Sequence, residues 1–323
     1  MLDVPKQLPD DEFALVENRD VAPKVARQDL DGLVHDLRYA VVESLPALIQ
    51  LVGYLKYKYS IGNVLLRGQT SLYPRLSPSL FRPDPRSPNM NRKNRARIIG
   101  SLVARSATWT CDHRHHRAAM CPEKVAQPRR SEVQLIASGT PRYAVEPLLQ
   151  HYGIRTRWLD VVDNLWVALW FACHRFVTVE ETFQHVVRRV PEAEAEEDRF
   201  AYLLVVLLMD AAPEVQPGLF RSAAAGTVVD LRRAVPSFYL RPHAQHGLLV
   251  HPFDDDASNL TVVPIKIRLR QALEWLGDSL LLSDYGLFPP ATVDVGYRKL
   301  LRASAEYNIS PTLGRVVAMG PGY

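Results

Sequence analysis

Gln150-His151-Tyr152-Gly153-Ile154-Arg155-Thr156-Arg157-Trp158-Leu159-Asp160, with the apolar stretches on either side of it, decides how this chain folds. Val145 to Gln150 has the spacing of a helix end. His151 to Asp163 reads as a loop or short strand. Asn164 then stands where an N-cap belongs, ahead of an apolar helix from Leu165 to Phe176. The crossing therefore crowds His151, Tyr152, Arg155, Thr156, Arg157 and Asp160 between two buried elements. Buried polar groups require partners, which a cleft or an internal network supplies. Asp160 is expected to pair with Arg67 or Arg157.

Working outward, apolar residues recur at helical spacing from Leu30 to Tyr59, which predicts two helices. Ser44 caps the second, Pro46 lies in its first turn and Ile61-Gly62 ends it. Residues 1–23 read as a poorly ordered arm. Asn63 to Leu66 is a short buried strand that leads into a turn at Arg67-Gly68-Gln69. Thr70 to Asn91 is proline-rich and irregular, and Asn91 to Thr110 predicts a basic helix. Cys111 to Pro141 reads as loop with short helical pieces. Downstream, Glu180 to Arg199 ends in an acidic loop, and strands are expected at Phe200–Leu208, Gly247–Val250 and Thr261–Ile265. Helices are expected at Arg268–Leu276, Leu280–Tyr285 and Val295–Ala305. Long helical passages around separated strands predict an α+β fold, with helices around a small central mixed or antiparallel sheet.

Composition bounds the function classes. The chain has 323 residues, 47% apolar and 23% charged, enough for a sizeable core. No apolar stretch reaches the ~18–20 residues that span a membrane, and the N-terminal residues lack a basic-then-apolar signal pattern. Three cysteines fit a reducing compartment, so a cytoplasmic protein without a membrane partner is expected. Net charge is only +4, yet the stretch from Arg82 to Arg130 is rich in arginine and lysine. That segment predicts either a nucleic-acid or acidic-protein partner or a solvated helix face. Cys111, His113, His115, His116 and Cys121 are zinc-ligand types, but their spacing fits no zinc pattern and nearby arginines repel a cation, so no metal is expected. Trp158, Trp166, Trp170 and Phe171 form either a stacking set or core. The helical spacing of Trp166, Trp170 and Cys173 favours core.

Two further pieces carry chemistry. Arg67, at a strand end beside Gly68 and Gln69, suits an oxyanion, because a guanidinium presents parallel N–H donors. In Leu240-Arg241-Pro242-His243-Ala244-Gln245-His246-Gly247, Arg241 and Gln245 bring a charge and an amide to the start of a strand.

Taken in order, these motifs resemble the FRG-domain family, named for a Phe-Arg-Gly run that here reads Leu66-Arg67-Gly68. Leu72-Tyr73-Pro74-Arg75-Leu76 to Leu80-Phe81-Arg82 resembles the stretch that follows in that family. Leu149 to Gly153, Thr156 to Asp160, Asn164 and Ala168-Leu169-Trp170-Phe171-Ala172 resemble its central motif. Arg241, Gln245 and Gly247, then Leu287-Phe288-Pro289, resemble its closing elements. Leu66 departs from the family's aromatic, Arg155 from its proline, and Val161-Val162 from a Trp-Thr pair. The resemblance implies an arm and helical extension over 1–47, an FRG-like domain over 48–301 and a tail over 302–323.

The motif order is also similar to the ADP-ribosyltransferase layout. That similarity implies NAD as substrate, in a bacterial toxin or phage-defence setting. Arg67, His151 and Gln245 would be catalytic, and Gly68, Gln69, Tyr152, Thr156, Arg157 and Asp160 would hold the nucleotide. Gln245 would stand in the place of an acid, although a glutamine is no carboxylate base. The competing class is a non-catalytic module that binds through residues 82–130.

Overall fold

The computed structural model describes residues 21–30, 33–59, 63–73, 76–83, 89–106, 140–179, 183–191, 199–208, 210, 212–223, 225–253, 257, 260–306 and 311–319. The chain opens with β1 (Val21–Leu30) and β2 (Leu33–Val42), then α1 (Leu45–Lys58) and β3 (Asn63–Gln69). After α2 (Arg92–Ser106) come α3 (Arg142–His151), β4 (Leu159–Val162) and α4 (Leu165–Cys173). A small ribbon, β5 (His174–Val179) and β6 (Phe183–Arg188), precedes β7 (Phe200–Leu208). Next are β8 (Glu214–Gln216), β9 (Leu219–Ser222), β10 (Gly226–Asp230), α5 (Leu231–Ala234), α6 (Leu240–Ala244) and β11 (Gly247–His251). The chain closes with β12 (Thr261–Arg268), α7 (Leu269–Leu276), α8 (Asp284–Leu287), α9 (Val295–Glu306) and β13 (Ala318–Met319).

Ten strands form one sheet in the order β1-β2-β12-β7-β3-β4-β11-β10-β9-β8, and β13-β6-β5 form a second. β2 runs parallel to β12 and β13 parallel to β6, whereas the other pairs are antiparallel, so both sheets are mixed. The α+β class holds, although the central sheet is larger than the small one expected. Its heart is β7, whose residues from Ala201 to Leu208 are all buried. A strand that is apolar at every position must be covered on both faces. Leu203, Val205 and Leu207 pack with Leu66 under α1, α4 and α7, while Leu204, Val206 and Leu208 join Leu65, Val161 and Val250 on the other face. A third cluster, with Leu148, Tyr152, Val229, Leu249, Tyr239 and Tyr297, joins α2, α3, α5 and α9 to β10 and β11.

Local signals account for the helix starts. The Ser44 hydroxyl accepts from the Ala47 N–H at 3.3 Å, and the Asn164 side chain accepts from the N–H groups of Trp166 and Val167 at 2.9 and 3.2 Å.

The structure corrects three expectations. The helix expected before Ser44 is a hairpin, with β1 and β2 paired from Val21↔Val42 to Leu30↔Leu33. Asp31-Gly32, between the paired ends, is a strong hairpin dipeptide that the apolar periodicity obscured. α4 ends at Cys173 rather than Phe176, because Phe176-Val177-Thr178-Val179 is β-branched and aromatic and pairs with β6. β3 continues through Arg67 and Gly68 to Gln69, where a turn was expected. The strands β8 to β10 add an edge for which no expectation was made. The main sheet also takes in β2 from the expected N-terminal extension, and the segment beyond residue 301 supplies β13. Among the described residues no helix is long and apolar enough to cross a membrane.

Candidate functional site

β3 and β4 touch at a single register pair, Leu66↔Val162. Beyond it Arg67 bridges the two strands by donating from Nη1 to the Asp160 carbonyl at 2.7 Å. A cavity of about 480 Å³ opens there, lined among others by Arg67, Gly68, Gln69, His151, Asp160 and Gln245. Six of the nine residues expected at a site thus share one wall. Gln150, Tyr73, Arg82, Phe171, Arg175, Phe176, Arg241 and Phe288 complete its polar and aromatic lining.

Gly68 is needed for a different reason from the one its motif suggests. A Cβ there would lie 1.9 Å from the Ala168 carbonyl oxygen and 2.7 Å from the Ala172 nitrogen. The close approach is therefore to α4, and it fixes that helix against β3. This explains how Phe171 reaches the cavity while Trp170, on the same helix, is buried in the core and stacks on His174 at 4.0 Å.

The charge is one-sided. Four guanidinium groups, of Arg67, Arg82, Arg175 and Arg241, face one carboxylate, Asp160, among the lining residues. Burial lowers the Arg67 pKa to about 10, with Asp160 opposing and Arg82 adding to the shift, which still leaves it a cation at neutral pH. The Arg67–Asp160 side-chain pairing expected from sequence is present only as a long contact, Nη1 to Oδ2 at 3.9 Å. The Asp160 carboxylate instead accepts from Gln150 Nε2 at 2.6 Å. Arg241 is 2% exposed, donates from Nη1 to the His151 carbonyl at 2.7 Å, and lies over the rings of Tyr152 and Tyr297 at 4.6 and 4.5 Å. Buried atoms around this cavity also lack a protein hydrogen-bond partner: Arg67 Nε, Arg241 Nε and Nη2, His151 Nε2 and Gln69 Oε1. The aromatic rings over Arg241 compensate part of that deficit. An anion would compensate the rest.

His151 has a defined proton arrangement. Gln245 Nε2 donates to the Leu287 carbonyl at 2.8 Å, which leaves Gln245 Oε1 to accept from His151 Nδ1 at 3.2 Å. Nδ1 therefore carries the proton. Burial, reinforced by Arg241, lowers the His151 pKa against the opposing effects of Asp160 and the Gln245 bond, so the ring is neutral at pH 7 and Nε2 has a lone pair. Gly247 makes room for this ring, since a Cβ there would meet His151 Cε1 at 2.4 Å. Gln245 thus has both amide atoms committed, and positions His151 rather than presenting a free group to a ligand.

Three expected ligand contacts lie outside this cavity. Tyr152 is buried and donates its hydroxyl to Asp294 at 2.8 Å. Thr156, with no exposed surface, donates its hydroxyl to Gln150 Oε1 and so holds the amide that holds Asp160. Arg157 turns to the other side of the chain, where Nε and Nη2 bind the buried Glu146 carboxylate at 3.1 and 2.5 Å. The alternation of a short extended segment accounts for this split, since neighbouring side chains point opposite ways. Arg241 and Phe288 appeared among the motifs but not as expected site residues. Gln150, Tyr73, Arg82, Arg175 and Phe176 come from distant elements, and periodicity offers no signal for them.

Of the basic segment, the described part of α2 exposes Arg92, Lys93 and Arg97. Arg95 turns inward and donates to the carbonyls of Leu80, Arg82 and Met90. The rest, with Cys111, His113, His115, His116 and Cys121, lies outside the described residues.

In comparisons with known proteins, residues 62–180 match the family model of the FRG domain. That segment holds β3, α3, β4, α4 and all of the expected site residues except Gln245. No curated protein and no solved structure matches the chain.

Proposed function

The chain carries an FRG domain over residues 62–180, and we propose that the cavity between β3 and β4 binds a nucleotide, with NAD the favoured ligand. One observation carries this reading: two buried guanidinium groups, Arg67 and Arg241, with unpartnered N–H donors, in one cavity with the aromatic rings of Phe171, Phe176 and Phe288. Guanidinium groups suit the pyrophosphate, and aromatic side chains suit a base or the nicotinamide ring. Phe176 and Tyr73 are exposed at the rim and Phe288 lies deeper, edge-on to Phe176 at 5.5 Å.

The reaction proposed is cleavage of the bond between nicotinamide nitrogen and ribose C1′. Nicotinamide leaves with the bonding electron pair, and C1′ is taken by water or by an acceptor group. Electrostatic positioning of the charged ligand supplies most of the catalysis. The neutral His151, through Nε2, is the group suited to take the proton of the incoming nucleophile. We place such an activity in a toxin or phage-defence setting, as the family resemblance implies.

Incubation with NAD tests the reading directly. Saturable binding by calorimetry and release of nicotinamide are expected, and Arg67→Ala should reduce both by at least ~10-fold, the cost of about 1.4 kcal/mol of lost interaction. Failure to bind NAD or ADP-ribose would remove the reading. Binding without nicotinamide release would leave a nucleotide-binding module and exclude the cleavage step.

A further inference from the structure

We propose that a second cleft, on the side of the central run to which Arg157 turns, binds the phosphate backbone of a nucleic-acid strand. It measures about 580 Å³ and lies between α2, α3 and the β9–β10 edge, with Gly100, Arg142, Glu146, Arg157, Trp158 and Arg221 among its lining. Three independent features point to an anion.

The first is charge. Glu146 is fully engaged by Arg157, whose Nε and Nη2 bind its two oxygens and whose backbone N–H adds a third bond at 3.0 Å. Arg142 and Arg221 are exposed and carry no ion pair among the described residues. The cleft therefore holds two uncommitted cations.

The second is a buried donor. Trp158 is 7% exposed and its indole Nε1–H has no hydrogen-bond partner. A buried N–H without a partner costs free energy that an oxyanion in the cleft would recover.

The third is the start of α3. Its N-cap is Pro141, which supplies no side-chain hydrogen bond, and its first turn carries no acid. The first N–H groups of this ten-residue helix, and the positive end of its dipole, are left for a ligand.

The distribution of charge selects an extended polyanion over a single phosphate. Gly100 brings α2 to the cleft, and exposed Arg97 lies about one turn before it, with exposed Lys93 and Arg92 one turn further. From Arg92 to Gly100 the helix advances roughly 12 Å at 1.5 Å per residue, more than one phosphate group occupies. Arg95, which turns inward, is excluded from this track.

The cleft shares no residue with the nucleotide cavity, so this proposal stands or falls separately from NAD binding. The test is fluorescence anisotropy of the full chain with a labelled single strand of about 15 nucleotides, titrated between ~50 and ~200 mM salt. Salt-sensitive binding is expected. The double variant Arg142→Glu/Arg221→Glu alters two exposed side chains, so its melting temperature should stay unchanged. It should weaken binding at least ~10-fold and lower the salt slope by about two. The milder Arg142→Gln/Arg221→Gln should act in the same direction. The Trp158 indole N–H resonance, identified by its loss in Trp158→Phe, should shift when the strand is added. Absence of binding, binding undiminished in both double variants, or tighter binding of an acidic or phosphorylated peptide than of the strand would each overturn the proposal.

Discussion

One run of sequence walls two cavities, and they differ in how their cations are held. On one side, Arg67 and Arg241 are buried, tied to the carbonyls of Asp160 and His151, and enclosed by aromatic rings. On the other, Arg142 and Arg221 stand in solvent around a single buried pair, Arg157–Glu146. A buried cation is oriented before any ligand arrives but costs desolvation, which a specific anion can repay. A solvated cation costs little and attracts anions without selecting among them. The first arrangement favours a defined small ligand, and the second suits a polymer read through its backbone.

Substitutions can break this contrast, and the largest effect is expected where no charge is involved. Gly68→Ala drives a methyl group into the backbone of α4, so a loss of about 3 kcal/mol or more in urea denaturation is expected. A smaller loss would mean that α4 can shift, and that the cavity wall is softer than its packing indicates. Arg157→Ala leaves the Glu146 carboxylate buried without its partner. Because Arg157 is itself about a third exposed, about 2 kcal/mol is expected, below the ~3–5 kcal/mol of a fully buried pair.

Arg241→Met separates function from stability. It removes a buried charge and keeps an unbranched side chain of moderate length, so stability should stay within about 1 kcal/mol of the parent while nucleotide affinity falls at least ~10-fold. Large destabilisation with intact affinity would reduce Arg241 to a structural strut. At the opposite extreme, Arg142→Ala should change stability by no more than ~0.5 kcal/mol, since its side chain is exposed and unpaired among the described residues.

Acidification gives a graded test. Burial lowers the pKa values of His151, His174 and His251 in the folded chain. The unfolded chain then takes up protons below about pH 6.5 that the folded chain does not. These histidines cost nothing above that pH, and stability falls as pH drops from there toward their lowered folded values. His151→Gln should flatten the decline in a series of melts, and an unchanged slope would show that the ring is not held neutral. A thiol follows the same logic with opposite charge. Burial pushes Cys173 up to about 12, so mass mapping should find its peptide unmodified by a thiol reagent at pH 8 until the protein is unfolded.

The α+β class, the caps at Ser44 and Asn164, and β7 were legible from sequence because each rests on local chemistry: a side-chain oxygen before an apolar period, or an unbroken apolar run. The first hairpin was misread because helical spacing in Leu30 to Tyr59 outweighed the single Asp31-Gly32 signal. Of the candidate site, Arg67 and the central run were legible as polar residues at element ends. The roles of Thr156 and Gln245 were not, since a chain of side-chain bonds from Thr156 through Gln150 to Asp160 has no periodicity to betray it.

The sequence by itself determined which residues are too polar to be buried without partners, and placed most of them between α3 and α4. Tertiary structure alone decided who the partners are. Splaying of β3 from β4 after one register pair opened the nucleotide cavity, and the alternation of an extended segment sent Arg157 and Trp158 to the opposite side from Gln150, His151 and Asp160. The physical reason is range. Propensity and capping act over a few residues, whereas Arg241 and Phe288 reach the central run across more than eighty positions of chain, through contacts that exist only once the sheet has formed.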